Sequence, residues 1–285
     1  MITERHFKMK KTTAVVASCV ALMSCGSGES IDGDVPTPVV SGQRNNVTAD
    51  GREFVGRNTV QGIAYNSATQ ILTIKGDPFD SAGTFRRAPT RDVEGFMAFE
   101  NDAGARDYLA FVGVDTVHGL TAGVVGTPFQ FDNEFGGTAL ERDRRPTLPT
   151  NREVRHLGDY AGVRNEGTNN GVDMSNSFLH RVEGQVELNL DFFADRQTPS
   201  VEGAISNRRN MDVDGVTYAD IVLQFTGIDE NGNFSGIAAV GGQPVGLYDG
   251  MIAGNNAAAS AGIVVIQDGS PVSLERGAFI ARATD

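Results

Sequence analysis

Val182-Glu183-Gly184-Gln185-Val186-Glu187-Leu188-Asn189-Leu190-Asp191-Phe192 is the stretch that decides the fold of this chain. Its middle alternates between apolar and polar side chains: Val186, Leu188 and Leu190 against Glu187, Asn189 and Asp191. A period of two places one row on each face of a β-strand. The stretch therefore predicts a strand whose apolar row faces a core and whose polar row faces outward.

Similar segments surround this stretch and are separated by turn residues. The strand candidates of the second half are 154–164, 178–192, 201–207, 218–226, 233–240, 245–253, 258–267 and 277–282. Pairs typical of hairpin turns lie between several of them: Asp214-Gly215, Asn231-Gly232, Gly241-Gly242 and Asp268-Gly269. In the candidate 218–226, the alternation places Ile221, Leu223 and Phe225 together on the inner face. No window shows a helical stripe longer than two turns.

These patterns predict an all-β fold with a C-terminal eight-stranded antiparallel up-and-down barrel, because closure removes the exposed edges of a sheet. A barrel in the outer membrane would direct Glu187 and Asn189 into lipid, so we expect an apolar interior and a solvated outer face. Weaker strand candidates at 60–65, 71–75, 95–100, 108–114 and 129–135 predict a smaller β domain upstream.

The start of the chain has the parts of a secretory signal. Lys8, Lys10 and Lys11 precede a short apolar run that ends in Leu22-Met23-Ser24-Cys25. The run is too short to span a bilayer as a helix. The Leu-x-Ser-Cys sequence resembles the lipobox of bacterial lipoproteins, in which the cysteine is acylated and becomes the first mature residue. Cys25 is therefore the predicted lipidation site, although an ordinary signal is the alternative, and Met9 is an alternative start to Met1.

The resulting domain prediction has four parts. Residues 1–24 are a lipoprotein signal peptide, and 25–58 are a flexible tether rich in Pro, Gly and Ser. Residues 59–150 are the small β domain, and 151–285 are the barrel, with a polar boundary near 141–151. Since Cys19 lies in the signal, the predicted mature chain has no cysteine besides Cys25.

Composition argues against some partners. The chain has a net charge of −12, and the segment before Cys25 carries +3, so the predicted mature protein is near −15. Such a surface repels nucleic acid and anionic lipid head groups. The expected partners are therefore the bilayer, through acylated Cys25, and an unidentified protein or small molecule.

Several blocks, taken together, resemble the barrel domain of transferrin-binding protein B-like lipoproteins. They are 158–162, 182–192, 201–205, Asn231-Gly232-Asn233-Phe234-Ser235-Gly236, 246–250 and 253–262. The resemblance implies an eight-stranded barrel beside a smaller handle-like domain, anchored on the outer membrane. Ser260 stands where many members have Glu. The motif residues are mostly turn glycines and core aromatics, so the ligand is not inherited with them.

Residues that could carry chemistry are few. His118, His156 and His180 are not paired at metal-ligand spacing, although His156 and His180 could lie on neighbouring strands. The acidic segments 228–233 and 212–215 look like calcium loops, but plain hairpins explain them better. Asp77 and Asp80 flank Pro78-Phe79 and are better explained by a turn than by acid–base catalysis. No catalytic, phosphate-binding or metal motif is present, so no catalytic residue, metal or cofactor is predicted and an enzyme is not expected.

The sequence thus predicts an outer-membrane-anchored lipoprotein that acts as a ligand-binding module, in nutrient (iron or haem) capture or host-protein capture. The alternative is a structural envelope or surface lipoprotein without a diffusible ligand. Both a periplasmic and an exterior orientation fit the sequence.

Overall fold

The computed structural model describes residues 42–47, 53–58, 60, 62–75, 83–101, 107–128, 136–168, 173–193, 198–268 and 273–284. In these ranges the regular elements are β-strands, apart from one 3₁₀ turn at Pro89–Arg91. Among the same residues, no helix is long and apolar enough to cross a membrane. The fold is therefore all-β, as the sequence predicted.

The first half of the chain forms a nine-stranded sheet, here called the handle sheet. Its strands are β1 (Gly42–Val47), β2 (Glu53–Asn58), β3 (Gly62–Asn66), β4 (Ile71–Lys75), β5 (Thr84–Arg87), β6 (Met97–Asn101), β7 (Tyr108–Asp115), β8 (Leu120–Gly126) and β9 (Gly136–Arg142). The order is β1-β2-β9-β8-β7-β6-β5-β4-β3, and neighbouring strands are antiparallel. β3 to β9 thus form a meander, and β2 pairs with its last strand.

The handle sheet curls around a core of its own. A Cβ added at Gly123 on β8 would lie 2.5 Å from the Ile63 side chain on β3, although these strands are far apart in the sheet order. Buried side chains from β3 to β9, among them Leu72, Phe85 and Phe99, fill the space between them. The side chains on the other face of β6 to β9 therefore do not belong to this core.

The second half forms the barrel. Its strands are β10 (Glu153–Thr168), β11 (Asp173–Asp191), β12 (Ser200–Asn210), β13 (Ile221–Gly227), β14 (Asn233–Val240), β15 (Gln243–Ala253), β16 (Ala259–Ile266) and β17 (Leu274–Ala283). They pair in sequence order, and β17 closes the barrel on β10. Each overlaps one of the eight predicted strands, and Val186, Leu188 and Leu190 are buried in the core. The predicted up-and-down barrel is confirmed.

The upstream half was predicted less well. β5, β8 and β9 were not anticipated, and 129–135 lies outside the described residues. β1 and β2 lie within the predicted tether, 25–58, and β2 pairs with β9 along its length. Backbone pairing with a neighbouring strand can order a segment of low apolar content. The predicted boundary at 150/151 falls in the connection between β9 and β10, and the division into domains stays a proposal.

Phe225 lies on the outside of the barrel, so its predicted inward position is wrong. Ile221 and Leu223 are buried, but the Phe225 side chain is 61% exposed. The register between β12 and β13 shifts between Val201 and Gly203, which adds one residue on β13. Such a β-bulge reverses the in–out alternation beyond it.

The outer face of the barrel has two different walls. The covered wall comprises Ala161, Val163, Met251, Ala253, Ala259, Ala261, Ile263, Ala278 and Ile280, on β10 and β15 to β17. These side chains form one core with Phe96, Phe111, Leu140 and other residues of the handle sheet. The opposite wall, on β12 to β14, faces away from this contact. The handle sheet therefore packs on one side of the barrel, and both belong to one compact unit.

Polar contacts fasten the handle sheet to the barrel. The buried Arg142 side chain on β9 donates from Nη1 to the carbonyl of Ile252 (2.6 Å) and from Nη2 to Oδ1 of Asn233 (3.1 Å). At another point, Nδ2 of Asn165 on β10 donates to the carbonyl of Thr127 (3.1 Å), just after β8. These hydrogen bonds hold the handle sheet to the barrel at two separate positions.

Candidate functional site

Side chains fill the interior of the barrel, and glycines make room for the aromatic rings. A Cβ at Gly250 would lie 2.1 Å from the Phe234 ring, and one at Gly236 would lie 2.7 Å from the Tyr248 ring. The rings of Phe279 and Tyr160 lie in the same way on Gly262 and Gly277. The motif glycines and aromatics of the barrel therefore pack as pairs on adjacent strands and fill space inside it.

A charged cluster lies in the interior near one end of the barrel. It consists of Arg164, Arg208, Asp268 and Glu275, with Tyr160 and Tyr218 against them. Glu275 is fully buried and accepts hydrogen bonds from Tyr160 Oη (2.7 Å), Arg164 Nη1 (3.1 Å) and Arg208 Nη2. The guanidinium carbons of Arg164 and Arg208 lie 4.5 and 5.5 Å from the Tyr218 ring centroid. The loop after β12 thus covers this end through Tyr218.

The electrostatics of the cluster favour a structural role. Burial alone would raise the pKa of Glu275, but the charges of Arg208 and Arg164 together with hydrogen bonds lower it below the usual value. Burial, together with the charge of Glu275, raises the pKa of Tyr160 well above that of an ordinary tyrosine. Both groups are shielded from solvent and fixed in one protonation state, which does not suit acid–base exchange with a substrate. Sequence reasoning did not identify Arg164 and Glu275, because β10 and β17 carry other charged residues as well.

His156 and Ser260 form a buried pair at the other end of the barrel. Nε2 of His156 lies 2.7 Å from the carbonyl of Ala257, and Nδ1 lies 2.8 Å from Oγ of Ser260. Because a carbonyl only accepts, Nε2 carries the proton and Nδ1 accepts from the hydroxyl. Burial lowers the pKa of His156 to about 4. The ring is fully buried and neutral at pH 7, so it holds the turn between β15 and β16 rather than binding a ligand.

The three histidines are not brought together. His156 and His180 lie on the neighbouring strands β10 and β11, but their register partners are Leu188 and Arg164. Eight residues along a strand correspond to about 26 Å. His180 Nε2 lies 3.7 Å from Glu166, and His118 Nδ1 lies 2.9 Å from Asp115 at the handle–barrel contact. Within the described ranges, no group of three His, Cys, Asp or Glu side chains is placed to hold a metal ion.

Asp115 is the buried partner that joins His118 to the barrel. Its Oδ2 also accepts from Nε of Arg282 on β17 (2.9 Å), and its Oδ1 accepts from the amide N–H groups of Val117 and His118. Burial alone would raise the pKa of Asp115, but the hydrogen bonds from His118 and the charge of Arg282 lower it overall. His118 therefore belongs to the contact between handle sheet and barrel.

The two acidic segments that look like calcium loops are turns. Oδ1 of Asp229 accepts from the amides of Asn231 and Asn233, which closes the hairpin between β13 and β14. Oδ1 of Asn210 similarly accepts from Asp212 and Val213. Side chains that bond to nearby amides in this way stabilise turns. Cys25, Asp77 and Asp80 lie outside the described residues.

A cleft lies where the handle sheet meets β11 of the barrel. Its volume is about 330 Å³, and the residues that line it are Arg91, Glu100, Asn101, Asp107, Tyr108, Leu109, Pro128, Phe178 and Leu179. Sequence reasoning did not identify it, because its two sides are far apart in the chain. Here a concave surface combines charged and apolar side chains, as ligand sites do.

The open wall of the barrel carries apolar side chains in solvent. The open wall consists of Val222, Phe225 and Ile237 on the outer face of β13 and β14. These side chains are 46%, 61% and 41% exposed. Phe225 lies opposite 236–237, between the paired positions Leu223–Ala238 and Ile228–Phe234. Since β13 is halfway around the barrel from β17, the open wall faces away from the handle sheet.

Comparison with known proteins finds similar solved structures. No protein-family model and no curated protein matches the sequence. Transferrin-binding protein B of Haemophilus parasuis, as a Tyr-167-Ala and Trp-176-Ala double mutant, matches 81% of this chain with a TM-score of 0.44 and 13% identity. The isotype 1 transferrin-binding protein B of serogroup B Neisseria meningitidis matches 82% with a TM-score of 0.41 and 15% identity.

This chain spans only 44% and 43% of those two proteins. A protein described as a surface lipoprotein is matched over 98% of its length and 81% of this chain, with a TM-score of 0.40 and 15% identity. Each of these structures is similar to this chain at a TM-score below 0.5, and the transferrin of those names is not carried to this chain.

Proposed function

We propose that this protein is an outer-membrane lipoprotein, anchored through acylated Cys25, whose barrel and handle sheet present a ligand-binding surface. The ligand in this proposal is a nutrient such as iron or haem, or a host protein. The predicted lipobox supports the anchor. The packed barrel interior supports binding on the outside, because aromatic rings and the charged cluster occupy the space that an internal ligand would need.

The observation that carries the binding role is the open wall. Large apolar side chains at the surface of a soluble domain mark contact sites when they lie together. Val222, Phe225 and Ile237 are exposed on two paired strands, whereas the handle sheet covers the opposite wall. A rigid barrel that exposes such a patch suits association with a partner better than catalysis, and we propose no enzymatic activity.

Protease treatment of whole cells tests the orientation that capture requires. The binding role predicts cleavage of the protein on intact cells, while a periplasmic marker stays intact. Crosslinking on the same cells, followed by purification, should then recover a partner with the wild type and less of it with Phe225→Ser. Protection from protease together with a loss of envelope integrity on deletion would favour the structural alternative.

The anchor has a separate test. Cys25→Ala should release the protein from membranes and abolish labelling by a fatty-acid analogue, because the acylated thiol would be absent. A conservative change of the neighbouring Ser27 to Ala serves as the control. Membrane retention of Cys25→Ala would contradict the anchor and leave the binding role to be judged by the crosslinking.

A further inference from the structure

The cleft between the handle sheet and β11 is built from three parts of the chain. Arg91 ends the 3₁₀ turn, Glu100 and Leu109 are paired across β6 and β7, and Phe178 and Leu179 come from the barrel. The handle sheet and the barrel meet closely beside it, because a Cβ at Gly126 would lie 3.5 Å from the Leu179 side chain. The hydrogen bond from Asn165 to Thr127 fixes this contact. The cleft is therefore held open by the fold itself.

The charges around the cleft are unequal. Nη1 of Arg91 lies 2.5 Å from Oε1 of Glu100, so this cation is paired with an anion of the same cleft. Asp107 is exposed, and within the part of the chain that the structure describes it makes no hydrogen bond or ion pair. Among the lining residues that the structure describes, the negative charges thus exceed the positive ones by one. The net charge of the whole chain, −12, has the same sign.

Of the other lining residues that the structure describes, Asn101 and Tyr108 carry polar groups, and the remaining four are apolar. Leu109 is buried, Leu179 is partly buried, and Pro128 lies beside them. Phe178 is 61% exposed and stands at the barrel side, where its ring is 6.2 Å from that of His180. An apolar group in the cleft could cover Phe178, and a cation near an aromatic face gains a further attraction. The cleft offers an apolar surface next to an unpaired carboxylate.

We propose that this cleft binds a small amphipathic primary amine, with the ammonium group at Asp107 and the apolar part against Leu179 and Phe178. The inference rests on the proposed binding role and names a ligand class for it. An amine suits the site better than a carboxylate, because Arg91 is already paired and the surrounding field is negative. The volume of 330 Å³ is at the small end of ligand pockets, which span about 300–1,000 Å³.

Three probes that differ only in their polar group test the assignment. 2-Phenylethylamine, 2-phenylethanol and phenylacetate are titrated into the purified full chain at pH 7, and binding is followed by ligand-observed NMR. The amine should bind at least about tenfold more tightly than the alcohol, and phenylacetate should bind most weakly, since one added charge pair in a partly exposed site is worth roughly that factor.

Variants then locate the charge. Asp107→Asn should weaken the amine about tenfold and leave the alcohol unchanged, because it removes a charge and keeps the size of the side chain. Phe178→Ala should weaken both amine and alcohol. The matched control is Glu230→Gln, which removes an exposed carboxylate from the turn between β13 and β14, at the opposite end of the barrel from Phe178.

Two sources could supply the amine: a free small molecule, or a lysine side chain of a partner protein. A blocked Gly-Lys-Gly peptide represents the second source, and its affinity relative to 2-phenylethylamine distinguishes them. Equal affinities of amine and alcohol, or an equal loss with Asp107→Asn and Glu230→Gln, would overturn the assignment. Failure of every probe to bind would also overturn it, while the crosslinking on whole cells would still decide the proposed function separately.

Discussion

The covered wall and the open wall belong to the same barrel but have different side-chain patterns. On the covered wall, small apolar residues such as Ala259, Ala261 and Ala278 are fully buried against the handle sheet. On the open wall, Val222 and Phe225 stand in solvent. β16 is buried on both faces over nearly its whole length, whereas β13 alternates until its bulge.

This difference shows how a contact between two sheets changes the pattern of apolar and polar residues along a strand. A strand that is buried on both faces loses the polar row of a half-buried strand and becomes a continuous apolar run. Ala259-Ser260-Ala261-Gly262-Ile263-Val264-Val265-Ile266 is such a run. Its small outward residues let the handle sheet approach closely. The same barrel therefore has one wall that is buried against the handle sheet and another whose apolar side chains are exposed.

The largest effect should come from placing a charge on the covered wall. Ala261→Glu would bury a carboxylate in the core shared with the handle sheet, and we expect it to lower the free energy of unfolding by more than about 4 kcal/mol. Val222→Glu on the open wall should change it by about 0.5 kcal/mol or less. Urea denaturation of both variants measures the difference. Similar losses in the two variants would contradict the distinction between the walls.

A pH dependence should arise inside the barrel, beneath the covered wall. The pKa of His156 is lowered to about 4 in the folded state, whereas an unfolded histidine has a pKa near 6.5. Between these values the unfolded chain binds a proton that the folded chain does not. The free energy of unfolding should therefore fall as the pH decreases from about 6.5 to 4, by about 3 kcal/mol in total.

His156→Gln isolates this contribution. Its stability at pH 7 is expected to be lower, but the part of the slope between pH 6.5 and 4 that belongs to His156 should disappear. The matched control, His180→Gln, should keep that slope, because His180 lies about eight residues away along the strand pair. Denaturation curves at half-unit pH intervals provide the measurement. An unchanged slope in His156→Gln would show that the ring takes up its proton at an ordinary pH.

A smaller loss of stability is expected when the hydrogen bonds of Arg142 that join the handle sheet to the barrel are removed. Arg142→Met keeps most of the side-chain volume but removes the donors to the carbonyl of Ile252 and to Asn233. Leaving the buried carbonyl of Ile252 and the partly buried Asn233 side chain without the guanidinium should lower the free energy of unfolding by about 2 kcal/mol. Arg144→Met, on an exposed neighbouring residue, is the control and should have little effect. If Arg142→Met also left the free energy of unfolding nearly unchanged, packing alone would hold the two sheets together.

The sequence predicted the barrel better than the handle sheet for a physical reason. Val186, Leu188 and Leu190 alternate with polar residues because one face of β11 is solvated. β8, from Leu120 to Gly126, is buried on both faces and contains Gly and Thr, so no alternation marks it. β2 is ordered by pairing with β9, which composition does not report.

The candidate sites show the same limit. The pairing of Glu275 with Arg164 and Arg208 depends on the closure of the barrel, which brings β17 next to β10, and no local spacing in the sequence reports it. The cleft requires Asp107 and Phe178 to meet across two sheets. Phe225 was predicted to face inward because the period-two pattern of the sequence does not reveal the one added residue at the bulge. Local patterns predict faces of strands, and long-range contacts decide which faces meet.

A substitution on the open wall should have the smallest effect on stability and the clearest effect on function. Phe225→Ser replaces a ring that is 61% exposed, so the free energy of unfolding should change by about 0.5 kcal/mol or less. If a partner covers this ring, crosslinking on whole cells should recover markedly less of it, because buried aromatic residues dominate binding energy at interfaces. Phe193→Ser is the control: that residue is also exposed, at 41%, but follows β11 instead of lying on the open wall. Equal recovery with Phe225→Ser and wild type would remove the open wall from the binding role, and the cleft would then be the better candidate.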